Sequence, residues 1–262
     1  MTQILQLIRP ILIAAALFTV GMTVASRTAS AQQSADPPAP KVETKSLLDL
    51  YTSGGWVMHA IAASSVGVIA VMAYCATRIR KKVMIPAALQ SALDQALANQ
   101  DVAGALQLCN ADPSSLSLVI KETLTKAGAG VEFYSKADLE AAAAETIFHE
   151  ETRYMLWVNM LNGIAAVAPM MGLLGTVSGM IGSFDQLAAG ASKPSDFAGG
   201  IGEAMITTAA ALIVAIPAML AYFVFKNVLQ SLVSQLAHST STLINRFVSG
   251  PAATAQETDA EA

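Results

Sequence analysis

The run FAGGIGEAMITTAAALIVAIPAML, residues 197–220, is apolar enough to lie in a bilayer, yet it holds a carboxylate at Glu203. An ionised side chain in hydrocarbon costs about 2.5–3.5 kcal/mol on insertion scales, so an acid placed there needs a partner or a function. Thr207 follows four positions later and shares its helical face, which Ala210, Ala211 and Val214 continue; Thr208 lies on an adjoining face. The consequence is a polar entry leading to a small, apolar exit. A carboxyl group there can load a proton from one side and release it to the other, or it can be held by hydrogen bonds across a helix bundle and only join helices. Pro217 lacks an N–H, frees the carbonyl of Ile213 and can kink the helix.

A second stretch, MMGLLGTVSGMIGSF, sets Gly172, Gly175, Gly179 and Gly182 at spacings of three, four and three, on one helical face. Small residues so placed let helix backbones approach closely in lipid, where no hydrophobic drive acts between helices. Thr176 sits beside that face. Its hydroxyl can bond back to the carbonyl a turn earlier or supply a polar rung along a path.

Other chemistries fail on spacing. GTVSG, residues 175–179, is not G-x-S-x-G, and HEETR, residues 149–153, lacks the second histidine of a zinc-protease helix. His59, His149 and His238 have no clustered partners, and Cys75 and Cys109 show no metal or redox spacing. There is no phosphate-binding GxxxxGK[ST] loop. Neither enzyme activity, metal nor cofactor is expected. A net charge of −4 and a pI near 5.3, without any basic stripe, give no footprint for nucleic acid.

The elements that must position these residues follow from composition. Hydrophobic residues are 54% of the 262, charged ones 13%, and mean hydropathy is +0.52, which marks a membrane protein. Residues 1–31 read as a secretory leader, with Arg9 before PILIAAALFTVGMTVA and small residues at Ala29–Ala31; residues 32–55 read as a Pro- and Ala-rich extracytoplasmic tether. Spans are predicted over 56–77, 154–184 and 197–225. Arg78, Arg80, Lys81 and Lys82 close the first span and put that end in the cytoplasm, so 185–196 is an outer loop while 78–153 and 226–262 lie inside. The fold class is therefore all-α: an integral membrane protein with three transmembrane helices. Two of them extend into a cytoplasmic helical bundle. One long helix should begin at an N-cap on Ser135, with Asp138 three residues on, and enter the second span; an amphipathic helix, 226–249, should continue the third. Breaks are expected at Asn99–Asp101 and at Asp112-Pro113, a helix from near Ser114, and a tail without a core over 250–262.

GLLGTVSGMIGSF followed by AGGIGEAMITTAAALIVAIPAML resembles the MotA/TolQ/ExbB proton channel family, most closely its ExbB branch, over about 56–248. The resemblance implies that Glu203 is the proton-path acid and that Thr176 and Thr208 accompany it, with Thr207 an additional hydroxyl. Ser178 stands where the family often has an aromatic residue. The resemblance further implies a homo-oligomeric ring, usually a pentamer. That ring would enclose the single span of an ExbD-like partner in the inner membrane and pull on a TonB-like protein as protons flow. TolQ-like envelope maintenance, a MotA-like stator role and a non-conducting scaffold are the alternatives. A lone carboxylate with hydroxyl neighbours is a poor dedicated sodium cage, which favours the proton as coupling ion.

Overall fold

The computed structural model describes residues 55–128, 135–190 and 194–249, with no side chains described for 127–128 and 194–198. The expected leader, the tether up to residue 54 and the tail over 250–262 lie outside these residues. The described chain is all-α, in the order α1 (Gly55–Arg78), α2 (Lys81–Met84), α3 (Ala87–Ala98), α4 (Val102–Ala111), α5 (Ser115–Gly128), α6 (Lys136–Ala188) and α7 (Pro194–Ser249). Three stretches, Gly55–Arg78, Lys136–Ala188 and Gly199–Ser249, are long and apolar enough to cross a membrane.

Local chemistry explains the boundaries. Asp101 caps α4 by accepting from the Gly104 N–H at 2.8 Å, and Gln100, at φ 57°, makes the turn before it. Ser135 and Asp138 form a reciprocal cap on α6: the Asp138 N–H donates to Ser135 Oγ at 3.3 Å, and the Ser135 N–H to Asp138 Oδ2 at 3.1 Å. Helix α6 runs on through Pro169, and α7 through Pro217, as membrane helices can when neighbouring groups absorb the freed carbonyls. Between them the helices take up much of the stretch expected as loop. Helix α6 continues to Ala188, Gly190 at φ +69° supplies the left-handed residue after its end, and α7 restarts at Pro194.

The chain divides into two compact units. The first comprises the described residues of Met1–Ala70 together with Leu161–Tyr222. Val57 and Ile61 of α1 are buried with Ala211 of α7, and Met171, Ala210 and Val214 pack against them. Alanines 204, 211, 215, 218 and 221 are buried along α7, while Leu212, Ile213, Ile216 and Leu220 on other faces are exposed. Small residues thus turn inward and large apolar ones outward, the reverse of a water-soluble helix and the pattern expected of helices packed in lipid.

The second unit comprises Val71–Met160 together with the described residues from Phe223 onward. It is built conventionally around large aliphatic side chains. Leu89, Leu93 and Leu97 form an i, i+4 stripe on α3, and Leu116, Ile120, Leu139, Leu229, Leu236 and Leu243 are buried with them. Each such side chain contributes about 1.5–3 kcal/mol on burial. The ring of Tyr74 lies 4.5 Å from that of Trp157.

Candidate proton-path site

The first unit holds an open-sided cavity of about 220 Å³. Its walls come from three helices. Helix α7 contributes Gly200, Glu203 and Thr207; α6 contributes Gly175, Ser178, Gly179, Gly182, Ser183 and Gln186; the first turn of α1 contributes Gly55, Trp56 and Val57. That is room enough for water.

Glycine makes the close approach of α6 and α7 possible. A Cβ on Gly172 would stand 2.7 Å from Ala211 Cβ and 3.0 Å from Thr208 Cα; one on Gly175 would stand 2.5 Å from Thr207 Oγ1; one on Gly179 would stand 3.1 Å from Ala204 Cβ. These three glycines form the tight seam. Gly182 borders the cavity, and a Cβ there would meet nothing within 4 Å among the described residues. The seam is joined by a cross-helix hydrogen bond, in which Thr208 Oγ1 donates to the Gly172 carbonyl at 3.1 Å.

Glu203 and Thr207 face the same cavity, as their i, i+4 spacing requires. Thr207 is buried, at 2% exposure, and its hydroxyl donates to the Ala204 carbonyl at 2.8 Å. Glu203 is half-buried. Thr176 and Thr208 do not line the cavity: Thr176 Oγ1 bonds back to the Leu173 carbonyl at 2.7 Å, and Thr208 serves the seam. Seven cavity residues are not singled out by the sequence as site residues: Gly55, Trp56, Val57, Ser178, Ser183, Gln186 and Gly200. Ser183 and Gln186 follow Gly179 by four and seven positions on one face, and that spacing is the available signal. Ser183 is buried, donates to the Gly179 carbonyl at 2.9 Å and packs against Gly200.

The second unit carries its polar groups differently. Glu150, 6% exposed, accepts from Ser115 Oγ at 2.9 Å and from Arg153 Nη1 at 3.3 Å. Lys126 Nζ lies 2.7 Å from Glu145 Oε2, and that hydrogen bond and charge hold the Glu145 carboxyl below its ordinary range. Burial pushes the Cys109 thiol up to about 11, which leaves it unreactive at neutral pH. Among the described residues no group of three His, Cys, Asp or Glu side chains could hold a metal ion.

Residues 112–238, which include the seam, Glu203 and all three threonines, match the MotA/TolQ/ExbB proton channel family. Among curated relatives, the biopolymer transport protein ExbB of Xanthomonas campestris pv. campestris is 33% identical over 124 residues, 47% of this chain and 49% of that protein. The putative biopolymer transport protein ExbB-like 1 of Synechocystis is 48% identical over 80 residues, 29% of this chain and 30% of its own. The biopolymer transport protein exbB1 of Vibrio cholerae is 38% identical over 88 residues, 33% and 39% respectively. The chain thus spans about half the length of the first of these relatives and less of the others. The family is a class of proton channel and transport subunit rather than an enzyme class.

Proposed function

We propose that this chain is the proton-conducting subunit of an inner-membrane energiser, with Glu203 as the group that takes up and releases the proton. The observation that carries the reading is the placement of Glu203: a carboxyl group in the otherwise uncharged stretch 197–225 of α7, facing a cavity large enough for water and walled by glycines and hydroxyls. An acid in such a place costs several kcal/mol unless it is used or paired, and here it borders a space a hydrated proton can enter. Thr207 and Ser183 supply hydroxyls at that space. Thr176 and Thr208 act one layer back, by fixing the backbone of α6 and its seam with α7.

The surroundings follow from the same role. The cluster of Arg78, Arg80, Lys81 and Lys82 at the end of α1 puts that end, and with it the second unit, on the cytoplasmic side. The N-terminus is then periplasmic and the C-terminus cytoplasmic. The outward apolar faces of α6 and α7 meet lipid and sister subunits in a homo-oligomeric ring, a pentamer by the family's habit. That ring encloses an ExbD-like single-span subunit. One proton crossing 100 mV releases about 2.3 kcal/mol, and several per stroke supply the work done on a TonB-like protein that powers outer-membrane import.

Glu203→Gln keeps shape and a polar terminus but cannot ionise, so it tests the reading. In cells that depend on this subunit for energised uptake, the variant should co-purify with its partner at wild-type yield and support no uptake. Full uptake in cells carrying only the Glu203→Gln variant would leave a scaffold role as the better account.

A further inference from the structure

Gly55 opens α1 with φ +60°, in the left-handed region where residues with a side chain are strained. A Cβ on it would stand 2.8 Å from Oε1 of Glu203, well inside the roughly 3.5 Å at which non-bonded heavy atoms rest. The turn that carries Gly55 is anchored. Val57 and Ile61, two and six residues on, are buried with Ala211 of α7, the helix that also carries Glu203. A side chain at position 55 therefore cannot be relieved by moving α1. The carboxylate, at the end of a flexible side chain, is the part that yields. Gly190 provides an internal comparison, with nearly the same backbone (φ +69°) and, among the described residues, nothing within 4 Å of its would-be Cβ.

We propose that Gly55 is a positioning residue for Glu203: the side chain it lacks leaves the place where the carboxylate rests, so the first turn of α1 sets where the acid meets its proton. This rests on the reading of Glu203 as the proton-accepting group. The pairing is invisible along the chain, because the two residues belong to the first and last long helices and neither position carries a motif for the other.

The test uses the full chain purified with its partner and reconstituted in liposomes, comparing Gly55→Ala with Gly190→Ala. Both substitutions force alanine into the same backbone region and should lower thermal stability equally. Only Gly55→Ala should move the carboxyl carbon resonance of Glu203 in a 13C-labelled sample and lower proton flux, by about tenfold for a displacement of this size. Equal flux and an unmoved resonance in the two variants would overturn the proposal. Should Gly55→Ala fail to assemble, the double variant with Glu203→Asp decides, because aspartate is one methylene shorter and leaves room for the added carbon. Assembly of the double variant supports the contact as the cause, and its failure overturns it. Undiminished flux in Glu203→Gln would instead remove the proton-acceptor reading itself, an outcome distinguishable because the Gly55→Ala resonance shift would remain.

Discussion

Replacing Gly175 by alanine should destabilise the first unit even though alanine is the better helix former. The added carbon would lie 2.5 Å from Thr207 Oγ1, 3.0 Å from its Cβ and 3.3 Å from its Cγ2. Thr207 is held in place: it is 2% exposed, β-branched and therefore stiff at χ1, and its hydroxyl is committed to the Ala204 carbonyl at 2.8 Å. Overpacking of this kind costs about 1–3 kcal/mol, and loss of the threonine's hydrogen bond adds about 1 kcal/mol. The gain from replacing a helical glycine offsets about 1 kcal/mol. The net expectation is a loss of about 1–3 kcal/mol. Gly182→Ala makes the same chemical change where a Cβ meets nothing within 4 Å among the described residues, so only the propensity gain remains and the variant should be as stable as the parent or more so. Both are measured by loss of helical circular dichroism on titrating the reconstituted protein with denaturing detergent. Equal stabilities for the two variants, or a destabilised Gly182→Ala, would refute the seam geometry.

Three further outcomes concern the second unit. Glu150→Ala should cost about 1 kcal/mol by removing the shorter of the two hydrogen bonds of the buried Ser115 hydroxyl, the Tyr154 hydroxyl at 3.4 Å remaining, against a smaller loss for Glu150→Gln, both read by thermal unfolding. The Glu145 carboxyl, held low by Lys126, contributes stability that is present above its unfolded pKa and lost as pH falls through the lower folded value; in Lys126→Ala its carboxyl NMR titration should return to the ordinary glutamate range. Cys109, with its thiol at about 11, should resist alkylation at pH 7.5 in the folded protein and react once denaturant exposes it.

Much of the architecture is legible in local pattern. Ser135 with Asp138 marks where α6 starts, Asp112-Pro113 where α4 stops, and the glycines at 172, 175 and 179 mark a seam before any partner helix is known. The helix through Asp185–Ala188 is hidden because the glycine and proline that follow suggest a loop, while the residues themselves are helix-compatible and Gly190 is where the chain turns. The site is only half legible. Glu203 and Thr207 declare themselves by polarity and period on one helix, but the wall opposite is contributed by α1, and contact between distant segments leaves no periodic trace. Thr176 and Thr208 illustrate a second limit. A hydroxyl's position on a helix shows which face it is on, whereas its actual acceptor, Leu173 in one case and Gly172 in the other, depends on rotamer and on the neighbouring backbone.

Whether the Glu203 carboxyl carries protons is tested most directly by acidification of liposomes holding the purified complex. An entrapped pH-sensitive dye follows the change after a potential is imposed, for the parent and Glu203→Gln side by side. The expected result is flux in the parent and only the leak of empty liposomes in the variant, with both complexes equal in mass and yield. Parent-level flux through the Glu203→Gln complex would contradict it.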